Sequence, residues 1–457
     1  DKFQQHFAKL SSAVVDGGAT ALLDNYSKLR PDYIGSAYLK EQLFDAELIE
    51  KVMFQMDLDV ATVPLQKGDK RCTKSLTTED FRGISISPVL SKVFEHCVLD
   101  RYSDFLVTAD NQFGFKKSVG CSHAIYSARS VINHYVAGGS TVNMCARDIR
   151  KAFDQMPHVG LYLKLMRRNV PLNLLCVIEN WFQKCYTCVK WFSVLSSFFK
   201  LQCGVRQGGV LSPQFFAVYI DDIITEIADQ RIGCYVRHRC VSIILYADDI
   251  LLLSPSVESL QKLVLCCELQ LNSLGMFINE TKTVCMRIGP RFQASCTDIV
   301  TASGIKLEWV RELRYLGVFF VSSTKFKCSY ASAKKAFYRS FNAIYGHVGK
   351  TASEDVILSL VNSKCLPVLL YGLDVCPLTV TDRRSFDFTV TRILMKIFKT
   401  NNIDVIDECR QYFAFHTVEH LIKVRKSRFL RKYANENNSF CKIFSTDAEI
   451  ELNELSR

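Results

Sequence analysis

The sequence predicts a mixed α/β protein, helical at both ends, with short strands gathered in its middle third. Three observations predict it. At 457 residues the chain exceeds one ordinary core and calls for two to four subdomains. With 48% hydrophobic and 23% charged residues, it has the profile of a folded protein rather than a disordered one. Short apolar runs alternate with helical periodicity in the middle third, and beyond about residue 325 only the helical periodicity persists.

The elements follow in order. Residues 1–60 read as amphipathic helix. From Val63 to Gly83 polar and charged residues dominate, among them Lys67, Lys70, Arg71, Lys74 and Arg82. Residues 142–149 form a strand with Val142, Met144, Ala146 and Asp148 on one face, followed by a helix that Pro157 opens. Ser212-Pro213 opens another helix, with Phe216, Ile220, Ile223 and Ile227 along one side. Residues 241–247 and 250–253 are two strands, so Asp248-Asp249 falls at or beside a hairpin turn. Ser254-Pro255 is read as an N-cap with proline at the first helical position; Val257, Leu260, Val264, Cys267, Leu271 and Leu274 then recur at helical spacing until Gly275. Phe386, Val390, Ile393 and Ile397 mark a late amphipathic helix, and residues 421–432 carry six basic side chains in twelve positions. Such a run reads either as a solvated face or as a nucleic-acid contact.

Composition narrows the function classes. A formal charge of +11 makes polyanions plausible partners and decides nothing further. The nineteen cysteines are scattered, and the lone CxxC pair, Cys185 and Cys188, has no second pair at zinc-ribbon spacing. Free thiols fit a reducing, intracellular and soluble setting, and no apolar run approaches the ~20 residues of a membrane span. The chain opens on Asp1, which reads as a piece of something longer or a processed product.

Asp248 and Asp249 sit within Ile243-Ile244-Leu245-Tyr246-Ala247 and Ile250-Leu251-Leu252-Leu253. Adjacent carboxylates in apolar surroundings repel and call for a compensating cation; a turn projecting both into water is the competing reading. Asp148 ends another strand. If the two segments pair, several hard oxygens converge, which suits Mg²⁺ ions that share their shell with substrate phosphates.

These segments resemble the reverse transcriptases of non-long-terminal-repeat retrotransposons. Tyr246-Ala247-Asp248-Asp249 resembles the YADD signature, residues 148–154 (DIRKAFD) the DxxKAFD motif, and residues 204–213 (GVRQGGVLSP) the GVPQGSVLSP motif. Residues 80–85, 112–115, 279–283 and 315–318 add matches in the family's order, and residues 364–400 resemble the stretch that follows. The resemblance implies an α+β right-hand polymerase fold: an N-terminal helical extension at 1–60, fingers at 61–140 with part of 155–202, a palm at 141–320, and a helical thumb and C-terminal region at 321–457. It implies RNA-directed DNA polymerase activity on an RNA template, a DNA primer and deoxynucleoside triphosphates, with two Mg²⁺ ions (or Mn²⁺) and no membrane. A nuclear location follows from the element class; the oligomeric state stays open.

Residue by residue, the resemblance makes Asp148 and Asp248 the principal metal ligands and Asp249 the third carboxylate. Phe153 would lie under the incoming sugar and exclude a 2′-hydroxyl, with an ordinary core aromatic as the competing reading. Gln207 would contact nucleotide or template, beside Gly208 and Gly209. Arg82 would grip the triphosphate, with Lys70 and Arg71 as helpers. Lys282 would assist pyrophosphate departure or be a surface lysine. Tyr246, Tyr315 and Gly317 would lie near the primer end, with an ordinary core tyrosine as the competing reading of Tyr246. Arg147 departs from the family's apolar residue and points by alternation into the core, where an unpaired guanidinium would destabilise the fold unless it snorkels to the rim. That departure motivates an alternative, a decayed RNA-binding remnant; RNA-directed RNA synthesis and a basic scaffold are further readings. Arg206 replaces the family's proline. Neither an endonuclease nor a zinc knuckle is read in the chain.

Overall fold

A computed structural model describes residues 2–12, 17–37, 60–67, 76–349 and 351–456. It is an α+β structure whose centre is a six-stranded sheet in the order Ile299–Val300, Lys306–Trp309, Val284–Ile288, Val142–Asp148, Asp249–Ser254, Ile243–Tyr246. The Val142–Asp148 strand is central, antiparallel to both neighbours, and its Val142, Met144 and Cys145 have no solvent exposure. Its two buried polar residues are each held by a hydrogen bond, Asn143 donating to Ser254 O and Arg147 to Val264 O.

Two cores cover the sheet. One lies under the helices His158–Arg167, Leu172–Gln183, Ser212–Ile220 and Val257–Ser273, with Cys145, Leu245 and Leu252 pointing into it. The other packs Met144, Ile244, Leu251 and Met286 against the helix Cys121–Ala137 and the C-terminal Phe429, Tyr433 and Phe440. A second sheet pairs Phe81–Ile86, Ala61–Gln66 and Tyr186–Trp191, with Val194–Leu195 and Phe199–Lys200 at its edge. Glu312–Tyr315, Val318–Val321 and Lys327–Ser329 make a third, after which the described chain is helical around its own core of Phe337, Phe386 and Ile393.

Several boundaries differ from those read in the sequence. Ser254 is the last residue of its strand, in register with Asn143, so sheet pairing claims it; the N-cap is Ser256, whose hydroxyl accepts from Ser259 N at 3.1 Å. The helix opened by Ser212-Pro213 breaks at Asp221 into Ser212–Ile220 and Asp222–Asp229. Asp221 there accepts from Ala109 N and pairs with Arg168, both at 2.8 Å. In the first sixty residues the described helices are Lys2–Leu10 and Gly17–Leu29.

Arg147 does not snorkel. Its side chain has no exposure and lies against the helix Val257–Ser273, where Nη1 donates to Val264 O at 2.7 Å and Nη2 stands 3.5 Å from Glu268 Oε2. Glu268 is itself buried and accepts from Ala302 N at 2.9 Å. The departure from an apolar residue is therefore compensated by a buried acid 121 positions away.

Candidate active site

The register of the central strands brings the acids together. Asp249 stands directly opposite Asp148, and Tyr246 opposite Asp249, which leaves Ala247-Asp248 as a two-residue hairpin turn. Directly opposed residues share a face with Cβ atoms about 5 Å apart. The turn is tight enough to hold Ala247 at φ +54°, a left-handed conformation that costs an L-residue about 1 kcal/mol. Neighbouring backbone keeps it there. Gln112, fully buried, accepts through Oε1 from Ala247 N at 3.2 Å and Gly114 N at 2.9 Å. A Cβ on Gly114 would come within 2.5 Å of Ala247 N, so only glycine fits beneath the turn.

Two of the three carboxylates are perturbed where they meet. Burial pushes Asp248 up, with the charge of Asp148 adding to it. Burial, then Asp248 and Asp148, pushes Asp249 up to about 6. Lys282 opposes this: its Nζ bonds Asp148 Oδ2 at 2.7 Å. Asn279, whose N donates to Asp148 O at 2.8 Å, pins that segment to the end of the Asp148 strand.

Asp148 and Asp248 open into a cavity of about 840 Å³ that also receives Lys67, Arg82, Phe153, Gln207 and Lys282. The Phe153 ring stacks on Phe216 at 4.7 Å between centroids and meets Phe115 edge-on. It is thus both a packed aromatic and part of the cavity wall. Gly208, at φ +119°, lets Gln207 O accept from Ser85 N at 2.7 Å, which joins this loop to the strand carrying Arg82. Lys67 and Lys151 line the same cavity, though sequence reading assigned them no role in the site; both ammonium groups approach Glu79. The predicted helpers Lys70 and Arg71 lie outside the described residues.

Tyr246 is half-buried, and burial pushes its phenol up. Tyr315 is 3% exposed, near enough to Asp249 to feel its charge. Of the Tyr315-Gly317 pair, only Gly317 stands on the surface; it turns at φ +85° against the ring of Tyr371. Cys185 and Cys188 are both buried.

Among the described residues no three acidic, histidine or cysteine side chains are already closed around a metal position. The residues nonetheless fit a hard divalent cation. The donors are all carboxylate oxygens, two of them are pushed up by burial and then by like charge, and an ammonium ion already sits on Asp148.

An α+β core that sets three carboxylates at one sheet end, over a cavity walled by cations and an aromatic ring, defines a candidate for metal-assisted phosphoryl chemistry. The comparison with known proteins is more specific. The profile of the reverse transcriptases (RNA-dependent DNA polymerases) matches residues 65–320, more than half the chain, and the chain belongs to that family. Family membership implies dependence on a divalent cation. Its relatives come from non-long-terminal-repeat elements. The Pol polyprotein of the type-2 retrotransposable element R2DM of Drosophila melanogaster is 25% identical over 258 residues, covering 55% of this chain and 24% of the relative. The Pol polyprotein of the type-1 element R2 of Popillia japonica is 25% identical over 285 residues, covering 59% and 45%. The chain thus spans less than half the length of these curated relatives. A structure of apo telomerase from Candida tropicalis aligns with a TM-score of 0.43 and 13% identity, over 93% of this chain and 68% of that one. No helix among the described residues is long and apolar enough to cross a membrane.

Proposed function

We propose that this chain is the RNA-directed DNA polymerase of a non-long-terminal-repeat retrotransposon, extending a DNA primer on an RNA template with deoxynucleoside triphosphates. The observation that carries the reading is the strand register: Asp148 faces Asp249, and Asp248 turns into the cavity that also holds Phe153, Gln207 and Arg82. Residues 61–140 with part of 155–202 would be fingers, 141–320 palm, 321–457 thumb and C-terminal region, and 1–60 the N-terminal extension. The expected setting is the nucleus.

Asp148, Asp248 and Asp249 would hold two Mg²⁺ ions, or Mn²⁺. When bound, these would activate the primer 3′-hydroxyl and stabilise the departing pyrophosphate. The chain's own residues do the rest. Arg82 and Lys67, which line the same cavity, would meet the triphosphate by charge-assisted pairing. Lys282, bonded to Asp148 at the cavity wall, would stand beside the departing pyrophosphate, where its ammonium can donate a proton. Phe153, backed by Phe216, cannot retreat and closes the space that a 2′-hydroxyl would need. Gln207 faces the nucleotide beside Gly208, and Tyr246 with Gly317 borders the primer terminus, above the buried Tyr315. Lys70, outside the described residues, keeps its role as a triphosphate helper.

The remnant reading drew on Arg147 and on the ends of the sequence; the ion pair of Arg147 with Glu268 weakens the first of these grounds. Primer extension on an RNA template tests the proposal: wild-type protein extends with Mg²⁺, and Asp248→Ala reduces the rate by about 10²- to 10³-fold or more, the loss expected when charge stabilisation of the transition state is removed. Extension that survives the substitution would refute the assigned role.

A further inference from the structure

Asp154 has no part in the assignment above, yet it is placed where the two nucleotide-facing groups meet. Gln207 Nε2 donates to Asp154 Oδ1 at 2.9 Å, and both residues line the nucleotide cavity. An ionised carboxylate only accepts hydrogen bonds, so it can hold the amide by its nitrogen alone. The carbonyl oxygen of Gln207 is then the end left free.

The backbone around the pair is tied as firmly. Gly204 N donates to Met156 O at 2.7 Å and Val205 N to Phe153 O at 2.8 Å, so the Gln207 loop and the Phe153 turn are stapled edge to edge. Gly204 makes this approach possible: at φ +81°, a Cβ there would meet Asp154 O at 2.6 Å. Burial pushes the Asp154 carboxyl up, while the bond from Gln207 and the charges of Lys67 and Lys151 oppose it.

We propose that Asp154 is a positioning residue for Gln207: it fixes the amide with nitrogen inward and oxygen toward the nucleotide cavity, in step with the Phe153 ring. A free glutamine amide can turn either end to a ligand, presenting a donor in one orientation and an acceptor in the other. Held by Asp154, it presents only the acceptor. The proposal rests on the assignment of the cavity to an incoming nucleotide.

A double-mutant cycle tests it. With a single deoxynucleotide on an RNA template, Asp154→Ala and Gln207→Ala each raise KM about five- to tenfold, the size of one positioning hydrogen bond, and change kcat little. The double variant is no worse than Gln207→Ala. Asp154→Asn, whose amide can offer Gln207 either an acceptor or a donor, no longer fixes which end turns to the cavity and raises KM by about two- to threefold, an intermediate loss. Asp154→Glu, whose acceptor is displaced by a methylene, behaves as Asp154→Ala and serves where the alanine variant does not fold. Primer–template affinity is unchanged throughout. An unchanged KM in Asp154→Ala or Asp154→Glu, or losses that multiply with Gln207→Ala, would overturn the proposal while extension by the wild type still upheld the polymerase reading. The same cycle, read as stabilisation of the primer–template complex by the deoxynucleotide in an Asp248→Ala background, gives the coupling without catalysis.

Discussion

Replacing Arg147 with leucine looks like a repair toward the family's apolar residue, and the structure predicts that it does damage instead. The Arg147 side chain is fully buried and its partner Glu268 is 6% exposed, so neither charge can reach water when the other is removed. Breaking a buried pair from one side costs about 3–5 kcal/mol, because the remaining charge stays desolvated. Arg147→Leu strands Glu268, which keeps only the bond from Ala302 N. Glu268→Gln strands the guanidinium, which keeps its bond to Val264 O. At roughly 2–4 °C per kcal/mol for a large domain, each single variant should lower the unfolding temperature by about 6–20 °C. The double variant Arg147→Leu/Glu268→Leu removes both charges together and should return to within about 1 kcal/mol of wild type, or exceed it. Circular dichroism melts of the four proteins decide the matter. A single Arg147→Leu variant as stable as wild type, with Glu268 intact, would refute the reasoning.

Phe153→Ala should open the space beneath the sugar and admit ribonucleotides. Competition between ribo- and deoxynucleoside triphosphates is expected to shift by about 10- to 200-fold, and an unchanged ratio would return Phe153 to a packing role only. His123 and His158 are both pushed down to about 4 by burial, so the folded chain keeps them neutral while the unfolded chain protonates them near 6.5. The unfolded state then binds more protons in that window. Stability should fall as pH drops from about 6.5 to 4, by up to ~3 kcal/mol per histidine. Urea midpoints across this range measure it, and His123→Gln should flatten the slope.

What the sequence revealed and what it concealed divide along physical lines. The hairpin and the helix ending near Gly275 were legible because alternation and helical periodicity are local: Gly275 takes φ +65° where the helix ends. The convergence of Asp148 with Asp248 and Asp249 could be posed but not decided, since register depends on pairing between segments a hundred residues apart. Glu268 was invisible as the partner of Arg147 for the same reason. It sits among apolar positions of its helix, where only the facing strand explains an acid. Ser254-Pro255 misled because local cap chemistry competes with a sheet ladder, and the ladder won. Gln112 belonged to a recognised motif, but its role under the turn required the positive φ of Ala247 to be known. The Asp154–Gln207 bond joins two motifs that sequence reading treats separately.

The account depends most on divalent cations being shared between the end of one strand and the hairpin facing it. Manganese substituted into crystals of the protein with primer, RNA template and a non-hydrolysable deoxynucleotide can be located by anomalous scattering. The account predicts peaks within ligand distance of Asp148 and of Asp248 or Asp249, with Lys282 moved off Asp148. Peaks confined to other side chains, or Lys282 still bonded to Asp148 in a complex that retains nucleotide, would contradict it.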